Sequence, residues 1–139
     1  RVRLMQFIMN IEERYTSFGF EDSGEMMNVP ADWQGYYYPA YIPDGMVLAG
    51  SLIPGNVFYT HPDGRELWFD DLGDGAGGTL DTENATIDYI TINGHIAMIS
   101  EKGPWTAILW NIDNRILMID YNGTRDEAIR IAESVRMIK

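Results

Sequence analysis

Between residues 47 and 121 the chain alternates short apolar segments with residue pairs that favour tight turns, and this spacing constrains the fold most strongly. The clearest turn is Asn93-Gly94, since a two-residue type I′ turn needs positive φ at both positions and this pair adopts it readily. The intervening segments are rich in β-branched and aromatic residues, which predicts strands. They cover residues 47–53, 57–60, 66–70, 86–92, 95–100, 106–112 and 115–121. The pattern predicts a meander of antiparallel hairpins.

The last two strands and the segment after them indicate how the sheet is covered. Residues 107–110 and 116–119 are apolar on both faces, which predicts central strands with other elements packed on each side. Thr124 and Glu127 then have the spacing of a capping box, and apolar residues follow at helical spacing. The sequence therefore predicts a C-terminal helix over residues 124–138.

The N-terminal part has a different periodicity. Apolar residues within positions 1–15 recur at spacings of three and four, which predicts a short amphipathic helix. Residues 16–20 predict a strand, whereas residues 21–33 lose periodicity and predict a loop. We therefore expect a single α+β domain over residues 1–139, with an antiparallel sheet of about seven or eight strands between residues 16 and 121. Both helices pack on this sheet. The sequence does not decide whether the N-terminal helix covers the same face as the C-terminal helix or the opposite one.

Charge and cysteine content exclude several classes of function. The formal net charge is −11 at pH 7, so nucleic-acid phosphates and anionic lipid headgroups are repelled and neither is an expected partner. Cationic peptides, metal ions and basic protein surfaces are compatible with this charge. The chain has no cysteine, which excludes disulfides, thiolate metal sites and a cysteine nucleophile. We expect no cofactor.

An aromatic run precedes the predicted hairpins, and two interpretations of it are open. Its rings could form stacking faces for a glycan or a peptide, or they could pack over the end of the sheet as core. Core packing is the more common outcome for such residues. The candidate ligand-binding residues are Trp33, Tyr36, Tyr37, Tyr38 and Tyr41.

The glycine-rich loop between residues 72 and 82 offers two further hypotheses. Its G-x-G-x-x-G pattern is followed by a predicted strand, whereas a phosphate-binding loop needs a helix N-terminus there, so nucleotide binding is disfavoured. The same region is rich in carboxylates, which are the ligands that calcium prefers, although a solvated acidic loop is the more common explanation of such a cluster. The candidate metal ligands are Asp70, Asp71, Asp74 and Asp81.

Catalytic motifs are not recognisable in the sequence. The two histidines, His61 and His95, belong to no metal-binding pair, and no serine stands in a G-x-S-x-G pattern. We therefore predict no catalytic residue. A hydrolase assembled from residues distant in the chain remains a third possibility.

Three short motifs resemble a known family. They are Tyr-Ile-Pro-Asp-Gly-Met at residues 41–46, Trp-Asn-Ile-Asp-Asn at residues 110–114, and the terminal segment 122–135, which begins Asn-Gly-Thr-Arg-Asp-Glu. Together they resemble the bacterial domain of unknown function 4367. In that family, domains lie outside the membrane of Gram-positive bacteria after a transmembrane helix, sometimes in an anti-sigma-like arrangement.

The resemblance implies a location and a class of function, but it brings no catalytic residues. It implies an extracytoplasmic domain tethered to the cell membrane by a segment upstream of Arg1. Our leading hypothesis is a non-enzymatic sensing or interaction module that binds a protein, peptide or cell-wall ligand. The alternative is a small-ligand or calcium-binding domain that uses the aromatic run or the acidic loop.

Overall fold

The structure is a computed structural model, and it describes residues 15–20, 25–73 and 82–138. Within these residues it contains eleven strands and one helix. The strands before the acidic loop are β1 (Tyr15–Phe20), β2 (Glu25–Pro30), β3 (Tyr37–Pro39), β4 (Val47–Gly50), β5 (Asn56–Thr60) and β6 (Glu66–Asp71). The elements after it are β7 (Thr86–Ile92), β8 (His95–Lys102), β9 (Trp105–Ile112), β10 (Arg115–Tyr121), α1 (Arg125–Glu133) and β11 (Val135–Met137).

Seven strands form one antiparallel sheet in the order β4-β5-β6-β10-β9-β8-β7. The predicted antiparallel sheet is therefore confirmed, and so are the central positions of β9 and β10. The strand order differs from a continuous meander, because β6 pairs with β10 and not with β7. No two-residue turn joins β6 to β7, so no local hairpin requires them to be neighbours. β7 consequently lies at the far edge of the sheet.

One face of this sheet holds the main core, and we call it the helix face. Leu67, Ile119 and Ile108 are fully buried on it, in three neighbouring strands. Ile131 and Ala132 of α1 are fully buried in the same cluster. Each large aliphatic side chain buried in this way contributes about 1.5–3 kcal/mol to folding. The helix covers β9 and β10, as the apolar character of these strands predicts.

The C-terminal helix is shorter than predicted. It ends at Glu133, and the residues that were expected to continue it form β11, which pairs antiparallel with β3. Ser134 fixes this change of direction, because its hydroxyl donates to the Ile131 carbonyl at 2.7 Å and accepts the Tyr41 N–H at 2.9 Å. The prediction of helix over residues 134–138 is therefore wrong. Backbone partners on β3 replace a further helical turn.

The N-terminal predictions have mixed outcomes. Residues 1–14 of the expected N-terminal helix lie outside the described residues, whereas Tyr15 begins β1. The expected loop over residues 21–33 is partly wrong, because β2 lies within it and pairs antiparallel with β1. Met27 and Val29 are buried while Asn28 is exposed, so β2 does alternate, but over too few residues to stand out in the sequence. Among the described residues no helix is long and apolar enough to cross a membrane.

Candidate functional site

A cleft of about 340 Å³ lies between the segment that follows β2 and the connection from β4 to β5. Small-molecule sites typically begin at about 300 Å³, so the cleft has the size of a small binding site. Its apolar lining comes from Pro30, Trp33, Leu52, Ile53, Pro54 and Val57. The remaining lining residues are Asp32, Gln34, Ser51, Gly55 and Asn56. The cleft thus combines an apolar surface with several hydrogen-bonding groups.

Asp71, at the end of β6, holds the cleft wall that contains Trp33 in place. Its side chain is fully buried, and one carboxylate oxygen accepts the backbone N–H groups of Tyr36 at 2.6 Å and Tyr37 at 2.9 Å. The other oxygen accepts Nε of Arg115 at 2.7 Å. A buried carboxylate is stable only when such partners satisfy it. Asp71 therefore ties β6, β10 and the segment before β3 into one unit.

Two glycines allow both walls of the cleft to approach Asp71. A Cβ atom at Gly35 would lie 2.8 Å from the Asp71 carboxylate and 2.7 Å from Nε1 of Trp33. A Cβ atom at Gly55 would lie 2.4 Å from the Asp71 carbonyl oxygen, and this residue has φ of +82°. The Asp71 N–H also donates to the Gly55 carbonyl at 2.8 Å. Only glycine fits such contacts without displacing the backbone.

Trp33 is held rigidly in the wall. Its indole N–H donates to the Tyr37 carbonyl at 3.0 Å, and its ring packs edge-on against Tyr38 with centroids 5.0 Å apart. Phe69 stacks on its other side at 5.8 Å. Only 9% of the residue is exposed, so Trp33 presents a narrow apolar surface to the cleft and not an open ring face.

The opposite wall is fixed by Asn56. Its side-chain oxygen accepts the Leu52 N–H at 3.0 Å, and its Nδ2 donates to Asp70 at 2.5 Å. These bonds hold the β4–β5 connection in one conformation while Ile53 stays half exposed at the rim. Both walls of the cleft are therefore organised before any ligand arrives.

Tyr37 connects the same region to the turn between β9 and β10. Its hydroxyl donates to the carboxylate of Asp113, which occupies that turn with φ of +50°. Burial and, next, this hydrogen bond to Asp113 raise the pKa of Tyr37 to about 12. The phenol is therefore neutral at physiological pH and acts as a donor that joins β3 to the sheet.

The five aromatic residues predicted to bind a ligand do not form one surface. Trp33, Tyr37 and Tyr38 are buried in the core, and of the five only Trp33 lines the cleft. Tyr36 is half exposed with the Arg115 guanidinium 4.2 Å above its ring, and Tyr41 is partly buried with Arg130 at 3.9 Å. The sequence did not indicate Ile53 or Asn56 as site residues. It indicated only that residues 54–56 form a turn.

The predicted metal ligands are separated by their other contacts. Asp70 bonds to Asn56, and both oxygens of Asp71 are engaged by Arg115 and by backbone N–H groups. Asp74 and Asp81 lie outside the described residues. Within the described part of the chain, no group of three histidine or carboxylate side chains could hold a metal ion. Calcium binding by the acidic loop stays a prediction.

The two histidines lie away from the cleft. His61 Nδ1 lies 2.8 Å from the Asp63 carboxylate at the turn between β5 and β6, and Asp63 is half exposed. A backbone hydrogen bond from Arg65 is the main cause that lowers the pKa of Asp63. His95 begins β8 and is partly buried. Neither histidine lines the cleft.

The terminal Asn-Gly-Thr motif is a structural joint between the helix and the β5–β6 hairpin. Asn122 accepts the Glu66 N–H at 2.6 Å, and Gly123 fits because a Cβ atom there would lie 2.3 Å from the ring of Tyr121. Thr124 and Glu127 form the predicted capping box. Burial alone would raise the pKa of Glu127, but hydrogen bonds from Thr124 and Tyr121 outweigh it and lower the pKa.

The comparisons with known proteins identify one family. No curated protein matches the chain. One family model, described as a domain of unknown function (DUF4367), matches residues 36–135. The match extends from the residue before β3 to the first residue of β11 and includes all three motifs. Residues 30–34 of the cleft lie just before it, and residues 51–57 lie within it. Because the match covers most of the sequence, the chain belongs to the DUF4367 family of domains.

Proposed function

We propose that this domain is a non-enzymatic binding module of a membrane-anchored bacterial protein. It lies outside the membrane and binds a short peptide, or the peptide part of a cell-wall fragment, in the cleft beside Trp33. The observation that carries the proposal is the cleft itself, whose two walls both contact Asp71, one at its buried carboxylate and the other at its backbone.

Preorganisation is the physical support for binding at this place. A ligand that enters a fixed cleft does not have to order its walls, so little of the contact energy is lost on binding. Asp71, Asn56 and Trp33 already hold both walls through hydrogen bonds within the domain.

The lining favours a ligand with both apolar and amide groups. Leu52, Ile53 and Pro54 offer apolar contact, while Gln34 and Ser51 offer side-chain donors and acceptors on the rim. Asp32 is exposed beside them and adds negative charge. A short peptide with a cationic or free amino group matches this mixture.

The extracytoplasmic location and the anchor are supported by family membership. The resemblance of residues 41–46, 110–114 and 122–135 to the family carries these expectations, including the anti-sigma-like arrangement. A protease added to intact cells that make the full-length protein tests the location. Cleavage within this domain, while a cytoplasmic control protein stays intact, is the expected result, and complete protection contradicts it.

A small-ligand function is the second candidate, and the same cleft favours it. Both functions use the cleft, but they differ in the size of the ligand that fills it. A peptide extends beyond the rim and contacts Ile53, whereas a small molecule stays against Trp33 and Val57. Binding of a compact metabolite with no effect of rim substitutions would favour this second candidate.

The binding proposal is tested with soluble cell-wall muropeptides and a matched pair of variants. NMR titration of the folded domain with the muropeptides should shift the indole N–H signal of Trp33. Ile53→Ser, at the rim, should weaken binding about tenfold, because it removes apolar contact without adding charge. Ile96→Ser is the control, since Ile96 is even more exposed but lies on β8. Equal effects of the two variants, or no shift at Trp33, would contradict the proposal.

A further inference from the structure

Strand β7 forms one edge of the seven-stranded sheet, so only one of its two sides pairs with another described strand. The two-residue turn Asn93-Gly94 joins β7 to β8, and Ile92 pairs with His95 across it. The pair that closes such a turn exchanges backbone hydrogen bonds, and bonded and non-bonded pairs then alternate along the hairpin. Ile90 and Asp88 therefore bond to β8 through their backbones. The N–H and C=O groups of the residues between them point away from the sheet.

The residues whose backbones point outward are Ile87, Tyr89 and Thr91, and one contact confirms this direction. The Tyr89 N–H donates to the side chain of Asp88 at 2.8 Å, so this amide is not part of the β7–β8 ladder. Among the described residues no strand pairs with this side of β7. The edge thus presents a regular row of backbone donors and acceptors, one of which is covered by a carboxylate.

Side chains along the same edge are exposed and apolar. Ile87 is 38% exposed and Tyr89 is 67% exposed, both on the face opposite the helix face. Ile96 of β8, opposite Thr91, is 77% exposed on that face. Native edge strands are usually protected by lysine, proline, a bulge or a short length. β7 has seven residues in unbroken register and contains no lysine or proline.

The charge around this edge selects the kind of strand that could bind. Residues 82–93 contain Glu83 and Asp88 and no basic residue. Glu101, opposite Thr86 on β8, is also acidic and pairs with Arg125 at 3.6 Å. The domain as a whole has a net charge of −11. A strand with basic residues is attracted to this surface, whereas a strand of the same charge is repelled.

We infer that β7 is a docking edge for an extended, basic segment of a partner protein, which adds to the sheet as an eighth strand. The segment bonds to the outward backbone groups of Ile87, Tyr89 and Thr91, and a basic side chain displaces the Asp88 carboxylate from the Tyr89 N–H. Its alternate apolar side chains lie beside Ile87 and Tyr89. This edge is the opposite one from the cleft, so the inference stands independently of the proposed function.

A second copy of the chain is the weaker fit to the same edge. Two domains of net charge −11 repel each other, and pairing β7 with itself brings a second Asp88 to the same short ribbon. Sedimentation of the domain at rising concentration distinguishes this case. We expect a monomer, and self-association lost in the Thr91→Pro variant would overturn the inference.

The test uses a synthetic peptide of seven residues in which lysine and valine alternate. In NMR titrations of the whole domain, the peptide should shift and protect the amides of Ile87 and Thr91 and leave the Trp33 indole signal unchanged. The same peptide with glutamate in place of lysine should bind at least about tenfold more weakly, and added salt should reduce the difference. Methylation of the peptide's pairing N–H groups should abolish binding. Equal binding by the methylated peptide, or shifts confined to other residues, would overturn the inference.

A pair of variants tests the backbone contact from the side of the domain. Thr91→Pro removes one outward N–H but no bond to β8, and it should weaken peptide binding about tenfold. Thr91→Val keeps the backbone donor and should bind like the unaltered domain. If Thr91→Pro unfolds, the methylated peptide still decides the question, since it needs no change in the protein. Equal binding by the two folded variants would contradict the inference.

Discussion

The two edges of the seven-stranded sheet are built in opposite ways. β4 has only four residues, its register shifts between Leu48 and Gly50, and it leads directly into the wall of the cleft. β7 has seven residues, pairs regularly with β8 along its whole length, and exposes most of its side chains. We call β4 the closed edge and β7 the open edge. Irregularity at one edge disfavours the addition of further strands there, whereas regularity at the other permits it.

The difference extends into the interior of the domain. Near the closed edge, hydrogen bonds that are at least partly buried join the cleft wall to β6, and they involve Gly55, Asn56 and Asp71. At the open edge, the hydrogen bonds of the Asp88 and Asn93 side chains are local or lie at the surface. Substitutions near the closed edge should therefore affect folding, and substitutions at the open edge should affect association.

The largest expected contrast is between two aspartates. Asp71→Ala should lower the free energy of unfolding by about 3–5 kcal/mol, because it leaves Arg115 and two backbone N–H groups without their buried partner. Asp88→Ala, the matched change at the open edge, should alter it by no more than about 0.5 kcal/mol. Chemical denaturation of both variants measures the contrast. Similar losses in the two variants would remove the distinction between the edges.

Two glycines at positive φ provide a second contrast. Gly55→Ala combines backbone strain with a clash against Asp71, so it should cost about 3 kcal/mol or more. Gly94→Ala, in the β7–β8 turn, has a φ of +85° but no atom within 4 Å of the added Cβ, so only strain of about 1–2 kcal/mol is expected. Thermal and chemical unfolding compare them. A larger loss at Gly94 would show that steric contact does not decide the outcome.

Alkaline pH tests the bond between β3 and the β9–β10 turn. The pKa of Tyr37 is raised to about 12 from its model-compound value of 10.0, so the unfolded chain loses this proton first as pH rises. Stability from this group is complete below pH 10 and is lost between pH 10 and about 12, by up to about 3 kcal/mol. Tyr37→Phe should show a smaller loss over that range. An identical pH dependence in both proteins would contradict the assignment.

The helix cap tests the attachment of α1 to the β5–β6 hairpin, in the same half of the sheet as the closed edge. Thr124→Ala removes the hydroxyl that accepts the Glu127 N–H at 3.1 Å, and it should cost about 1 kcal/mol. Thr124→Ser keeps the acceptor and should restore most of that stability. Equal stability of the alanine and serine variants would mean that the cap contributes little.

The smallest effect is expected for the surface pair between α1 and β8. Arg125 lies 3.6 Å from Glu101, and both side chains are about two-fifths exposed. Water and salt screen such pairs, so Glu101→Gln should change the free energy of unfolding by less than about 0.5 kcal/mol. A loss comparable with that of Thr124→Ala would show that the helix depends as much on its contacts near the open edge as on those near the closed edge.

Local signals in the sequence were sufficient for most individual elements. The turn residues predicted the hairpins after β7, the apolar runs predicted the central strands, and Thr124 with Glu127 predicted the helix start. The end of the helix could not be predicted locally. Val135 continues the helical spacing, but β3 offers it backbone partners that only the folded chain brings near.

The site depends almost entirely on contacts that are distant in the sequence. Trp33 faces residues 51–57 only because Gly35 and Gly55 both pack on Asp71, and no pattern within either segment encodes that meeting. The acidic character of Asp71 suggested a metal ligand, whereas its partner Arg115 begins β10, which is four strands later in the chain. Periodicity predicts which side chains face the core, but it does not predict which buried polar groups bond to each other.

Hydrogen exchange along β7 in the isolated domain tests the difference between the edges most directly. With an open edge, the amides of Ile87 and Thr91 should exchange rapidly, while those of Asp88 and Ile90, bonded to β8, should exchange slowly under native conditions. The central amides of β10 should be protected throughout. Slow exchange at Ile87 and Thr91 in a dilute, monomeric sample would contradict the open edge.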